Sequence, residues 1–188
     1  MIKRISTGLV MMGLIVMVAS PVAAVTMEEL RNDTKLTPAR FARYFANFKY
    51  QFHDEVQDPQ TFLTTRTGDC DDYATLAAEV LSARGYKTRL ITVRMPSVNH
   101  VVCYVEETRC YLDFNNRTYL IRTVSSDGSL TDIARKVAKS FDSKWTSVSE
   151  FTFADQIKRL VSYRAAKGQL TGVPQMAQFT PRDIRVDF

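Results

Sequence analysis

The stretch Gly68-Asp-Cys-Asp-Asp-Tyr-Ala74 places a cysteine between acidic residues, where a loop gives way to a helix-forming run. A thiol becomes a nucleophile only as thiolate, and a free cysteine has a pKa of about 8.5. The first position of a helix favours the thiolate, because unpaired N–H groups and the helix dipole attract negative charge. Gly68 lets the chain turn sharply, and Asp69 is suited to the N-cap. The backbone N–H of Cys70 is then placed to help hold an oxyanion. Asp71 and Asp72 suit a helix start but repel a thiolate. Useful chemistry at Cys70 therefore requires a cationic imidazole close by.

The sequence has only 2 histidines, His53 and His100. His53 lies in a polar connector and is expected to be remote from Cys70 and His100. His100 opens the strand-like run "HVVCYVEETRCYLDF". Alternation on both sides of Glu106–Arg109 predicts a two-stranded hairpin. A turn centred between Glu106 and Glu107 pairs residues whose numbers sum to 213. Under that register His100 faces Asp113 and Cys103 faces Cys110, the two pairs lying on opposite faces. Cys70, His100 and Asp113 then read as nucleophile, base and orienting acid. The plain alternative is a satisfied surface histidine beside a solvated aspartate.

These residues need elements to carry them. Thr37-Pro38 predicts an N-capped helix to about Phe48, with Phe41, Phe45 and Phe48 packing into the core. The connector after His53 allows one short helical turn. Cys70–Arg84 predicts a helix with Cys70, Ala74, Ala77 and Leu81 on one face, stopped at Gly85. Lys87–Met95 predicts a strand, and Arg117–Thr123 a further one. Ser129–Phe141 and Phe153–Lys167 read as amphipathic helices. Helices followed by antiparallel strands give an α+β fold class.

The whole chain bounds the function. It has 188 residues, 45% hydrophobic and 24% charged, with a diffuse net charge of +5. That suits one domain with a real core and gives no basic patch for nucleic acid. The start has the layout of a secretory signal peptide, Met1 to Ala24: Lys3-Arg4, an apolar run over Gly8–Val18, then small residues. The alternative is an uncleaved anchor, since Ile5–Ala24 is just long enough to span a bilayer. Cleavage would leave a domain over residues 25–171, not inserted in the membrane, and an irregular tail over 172–188. Export to the periplasm or beyond permits disulfides, and 3 cysteines leave one thiol over.

Gly68-Asp-Cys-Asp-Asp-Tyr-Ala74, Arg84-Gly-Tyr86, Asn99-His100-Val101 and Tyr111-Leu-Asp113 together resemble the core of the transglutaminase-like superfamily. The pattern is most similar to the bacterial transglutaminase-like cysteine proteinases, whose motif reads G-D-C-[DE]-D-[YF]-A, then a His-led strand, then L-D. The resemblance covers about Asp58 to Asn116. It implies a papain-like core, with the cysteine helix packed on an antiparallel sheet. It also implies the nucleophile role for Cys70, the base for His100 and the orienting acid for Asp113. The expected activity is a thiol peptidase or amidase acting on a protein or peptide through an acyl-enzyme. Protein crosslinking by transamidation and a non-catalytic binding module are the alternatives. Relatives that cleave surface adhesins hold calcium beside the cysteine, which would fall to Asp69, Asp71 and Asp72; otherwise these acids are a capped helix start. The chain departs from the papain pattern in lacking a glutamine shortly before the cysteine. Asn115-Asn116 either line the site or make a turn.

Overall fold

A computed structural model describes residues 25–116, 122–154 and 157–167. Two short helices come first, α1 (Met27–Asn32) and α2 (Pro38–Tyr44). Thr37 caps α2 and Pro38 opens it, as its sequence predicts, but α2 ends at Tyr44. Phe41, Phe45 and Phe48 are all buried. The next elements are β1 (Lys49–Tyr50), α3 (Pro59–Thr65), β2 (Thr67–Gly68) and α4 (Cys70–Ser82). Tyr86 N–H reaches back to the Leu81 carbonyl, and Gly85 has φ +87°, so α4 stops where its glycine predicts.

The sheet follows: β3 (Thr88–Arg94), β4 (Asn99–Val105), β5 (Cys110–Leu112), β6 (Val124–Ser125), then α5 (Leu130–Ser140), β7 (Ser147–Ala154) and β8 (Ile157–Ala165). A 3-10 turn, Phe114–Asn116, follows β5. Six antiparallel strands lie in the order β6-β5-β4-β3-β7-β8, giving the expected α+β class. One face of the sheet buries Leu90, Val101, Cys103, Val105 and Leu112 with α4. The other buries Ile91, Val93, Val102, Tyr104 and Tyr111 with Ile133, Ala134 and Val137 of α5. Each large apolar side chain taken fully from water stabilises by about 1.5–3 kcal/mol before entropy is counted. Ala74, Ala77 and Leu81 are fully buried, so the predicted face of α4 is its packing face.

Two expectations are corrected. Phe153–Lys167 is not a helix: it holds the end of β7 and all of β8. β8 is an edge strand with Leu160, Val161 and Tyr163 exposed, and a bulge at Glu150/Phe151 breaks the pairing rhythm. Apolar residues on both faces of such a strand mimic helical spacing. The β4–β5 register is also offset by two: Cys103 pairs Leu112 and Val105 pairs Cys110, so partners sum to 215. The turn is centred one residue later because Arg109, at φ +48°, closes it with its N–H on the Glu106 carbonyl. An offset of two preserves the faces. Cys103 and Cys110 thus share a face diagonally, not as a direct pair, and both are free thiols. Residues 1–24 and 172–188 lie outside the described residues, as does most of the expected strand over 117–123.

Candidate active site

Cys70 is the first residue of α4, with Asp69 as N-cap. The cap is reciprocal: Asp69 accepts from the first turn, and the Asp72 carboxylate accepts the Asp69 N–H at 3.0 Å. Asp72 also accepts the Gln57 backbone N–H at 2.6 Å and the Gln57 side-chain amide at 2.7 Å. β1 and β2 run parallel, pairing Tyr50 with Gly68, and Gln51 N–H donates to the Gly68 carbonyl at 2.9 Å. His53 N–H donates to Asp69 Oδ2 at 3.0 Å. Tyr50, Gln51, His53 and Gln57 are therefore tied to the chain entering α4. His53 is not remote, as its connector position suggests, but lies against the helix cap. Its Nε2 is buried without a hydrogen-bond partner.

His100 enters from the start of β4. Its Nε2 meets Asp113 Oδ1 at 2.9 Å. The Cys70 side chain lies close enough to the ring to help hold its proton. With Nε2 taken by Asp113, Nδ1 is the nitrogen left for sulfur. The Phe141 ring packs edge-on against His100, with centroids 4.8 Å apart. Asp113 is fully buried, and its oxygens also accept from Asn115 N–H at 2.8 Å and the Asn116 amide at 3.3 Å. The two asparagines thus form a turn that fastens the acid. Burial opposes a charge on His100, but hydrogen bonds to Asp113 and Cys70, together with their charges, outweigh it. The imidazole is pushed from 6.5 up to about 10. The arrangement favours an imidazolium beside sulfur. Cys103, by contrast, is fully buried, and burial and Cys110 push its thiol far up.

The carboxylates of Asp69, Asp71 and Asp72 offer oxygens that lie within 4.8 Å of one another. Asp71 Oδ1 is buried without a hydrogen-bond partner. Burial, and then Asp69 and Asp72, push the Asp71 carboxyl from 3.8 up to about 8. Hard oxygens, crowded charge and an orphaned acceptor fit a hard divalent cation.

A cavity of about 260 Å³ adjoins the helix start, lined by Asp71, Asn99, Arg94, Lys158 and Phe153 among others. Lys158 Nζ sits 4.0 Å over the Phe151 ring. Burial lowers its pKa, against the pull of Asp71 and Cys70. A larger cavity of about 570 Å³ lies farther along α4, and both are lined by Val56, Thr75, Phe151 and Phe153. The smaller one is lined by Asp71 and Asn99, the chain neighbours of Cys70 and His100.

The core model of the transglutaminase-like superfamily matches residues 22–119, a span that contains Cys70, His100 and Asp113. The chain belongs to that superfamily, which covers cysteine peptidases and transglutaminases and whose members are usually enzymes. No curated protein matches the chain. No helix among the described residues is long and apolar enough to cross a membrane.

Proposed function

We propose that the chain is an exported thiol hydrolase, a peptidase or amidase acting through Cys70, His100 and Asp113. The observation that carries the reading is the buried His100 ring, held between the Cys70 side chain and the Asp113 carboxylate. The Cys70 thiolate attacks a peptide or carboxamide carbonyl. His100 gives its proton to the departing amine, leaving an acyl-enzyme. Water, deprotonated by the now neutral His100, then releases the acid and restores the thiol. Asp113 holds the ring in orientation and supports its charge. The groove between α4 and the β7–β8 hairpin suits an extended protein segment. Export rests on the Met1–Ala24 layout. A divalent cation such as calcium at Asp69, Asp71 and Asp72 would neutralise their mutual repulsion and hold the start of α4 in place.

The test combines labelling and cleavage. Iodoacetamide should modify Cys70 in the native protein faster than a free cysteine. Peptide-library cleavage should vanish in Cys70→Ala and in His100→Ala, with the double variant no worse, because the groups act as one unit. Amine incorporation without cleavage would make the protein a crosslinker instead. Full activity in His100→Ala would refute the assignment.

A further inference from the structure

The cavity of about 260 Å³ is walled by chain neighbours of both nucleophile and base, Asp71 after Cys70 and Asn99 before His100. Lys158 of β8, paired across to Phe153, lines it too. The charges of Asp71 and Cys70 both act on the Lys158 ammonium. Yet Lys158 makes no ion pair or hydrogen bond among the described residues; its Nζ rests 4.0 Å over the Phe151 ring. A half-buried ammonium without an anion is unfavourable, and burial accordingly lowers its pKa. Thr75 Oγ1, on the same wall, is also buried without a hydrogen-bond partner. One cation and one orphaned hydroxyl thus share a space far larger than the roughly 15 Å³ that a single water requires. Arg94 adds a second positive charge. Of the acids on the wall, Asp54 and Glu55 are exposed, and Asp71 is gathered with Asp69 and Asp72. Val101, Phe151 and Phe153 supply apolar wall, which suits methylenes rather than a bare anion.

We infer that Lys158 is a specificity-determining residue, whose ammonium receives the carboxylate of a substrate glutamate close to the scissile bond, with the Thr75 hydroxyl donating to the same group. The two methylenes of the glutamate pack against Phe151, Phe153 and Val101. Its carboxylate gives the ammonium the anion that the fold withholds. The pair forms where both charges are partly out of water, so it counts for more than an exposed ion pair. The substrate class is then a protein segment carrying glutamate beside the cut. The inference rests on the thiol-hydrolase reading and narrows its substrate.

Acetylated, amidated peptides leave side chains as the only carboxylates in the assay. The full chain digests a peptide library, and Glu, Gln and Lys are then exchanged at each residue flanking the bond that is cut. At one position kcat/KM for Glu should exceed that for Gln by about 10- to 100-fold, the range for a hydrogen bond to a charged group. Lys158→Met keeps an apolar stem against Phe151 and removes the charge. Its Glu-to-Gln ratio should fall to near one, with the Gln peptide cut almost as well as before. Lys158→Arg should keep the Glu preference, Lys158→Glu should transfer it to Lys, and Thr75→Val should weaken it. A wild type with no Glu preference at any position overturns the inference. So does an equal loss on Glu and Gln peptides in Lys158→Met, which is what a merely structural lysine would give. If no peptide is cut at all, the hydrolase reading itself fails and the Lys158 role falls with it. Cleavage that ignores Glu removes the Lys158 role alone.

Discussion

Replacing Asp71 with asparagine should make the protein more stable at neutral pH, and the structure sets the size of the gain. Its carboxyl is pushed from 3.8 up to about 8, by burial first and then by Asp69 and Asp72. Each pKa unit corresponds to about 1.36 kcal/mol. The sign follows from proton counting. Between about pH 4 and pH 8 the folded Asp71 keeps a proton that the unfolded chain releases. Stability from this group is therefore full below about pH 4 and is lost as pH rises toward 8. Two units, from pH 5 to pH 7, remove about 3 kcal/mol, and the ceiling at pH 7 is about 4 kcal/mol. The amide of the Asp71→Asn variant has nothing to titrate, and Asp71 Oδ1 has no hydrogen bond for it to break. Urea denaturation in chelator at pH 5 and pH 7 measures both proteins. The gap between Asp71→Asn and wild type should widen by about 3 kcal/mol over that interval. Parallel pH profiles would refute the reasoning. Added calcium should restore the wild type at pH 7 and do little for the variant; no response from the wild type would remove the cation from the proposal.

Other perturbations give separate readouts. Asp113→Asn should leave weak peptide cleavage, since the residue orients and supports the imidazole rather than reacting, whereas His53→Ala should leave turnover nearly intact. Gly68→Ala would put a Cβ 2.5 Å from Asp72 Oδ2 and 2.6 Å from the Phe62 ring, so urea melts should show a loss of about 1–3 kcal/mol. His100, raised from 6.5 to about 10, contributes stability that is full below about pH 6.5 and lost as pH climbs through 10. His100→Gln should flatten that alkaline decline in melts taken from pH 6 to pH 10.

How far the sequence could be read depended on the range of the interactions involved. Cys70, Asp69 and Gly85 carry their roles in local chemistry, so the start and stop of α4 were legible. His100 and Asp113 were legible as partners because the alternation of β4 and β5 preserves faces. The turn residue Arg109, adopting a positive φ, moved the register by two without separating them. The diagonal setting of Cys103 and Cys110 is a result of that same shift. β8 misled because an edge strand need not alternate, and its exposed Leu160 and Val161 resemble a helical stripe. β1 and β2 were invisible: a two-residue parallel pair has no periodicity of its own. With them went the signal that Tyr50, His53 and Gln57 would be tied to the start of α4, since those contacts join segments distant in sequence.

The Asp72 carboxylate gathers a cap N–H, a connector N–H and a connector amide onto one buried side chain. Such a junction makes the first turn of α4 and the connector a single cooperative unit of opening. Fraying at either end is resisted by the other, and release of one frees both. Fluctuations at this corner should therefore be concerted, the start of α4 losing its cap and its connector together. Slow, correlated exchange of the Gln57 and Asp69 amides is the signature of such a unit.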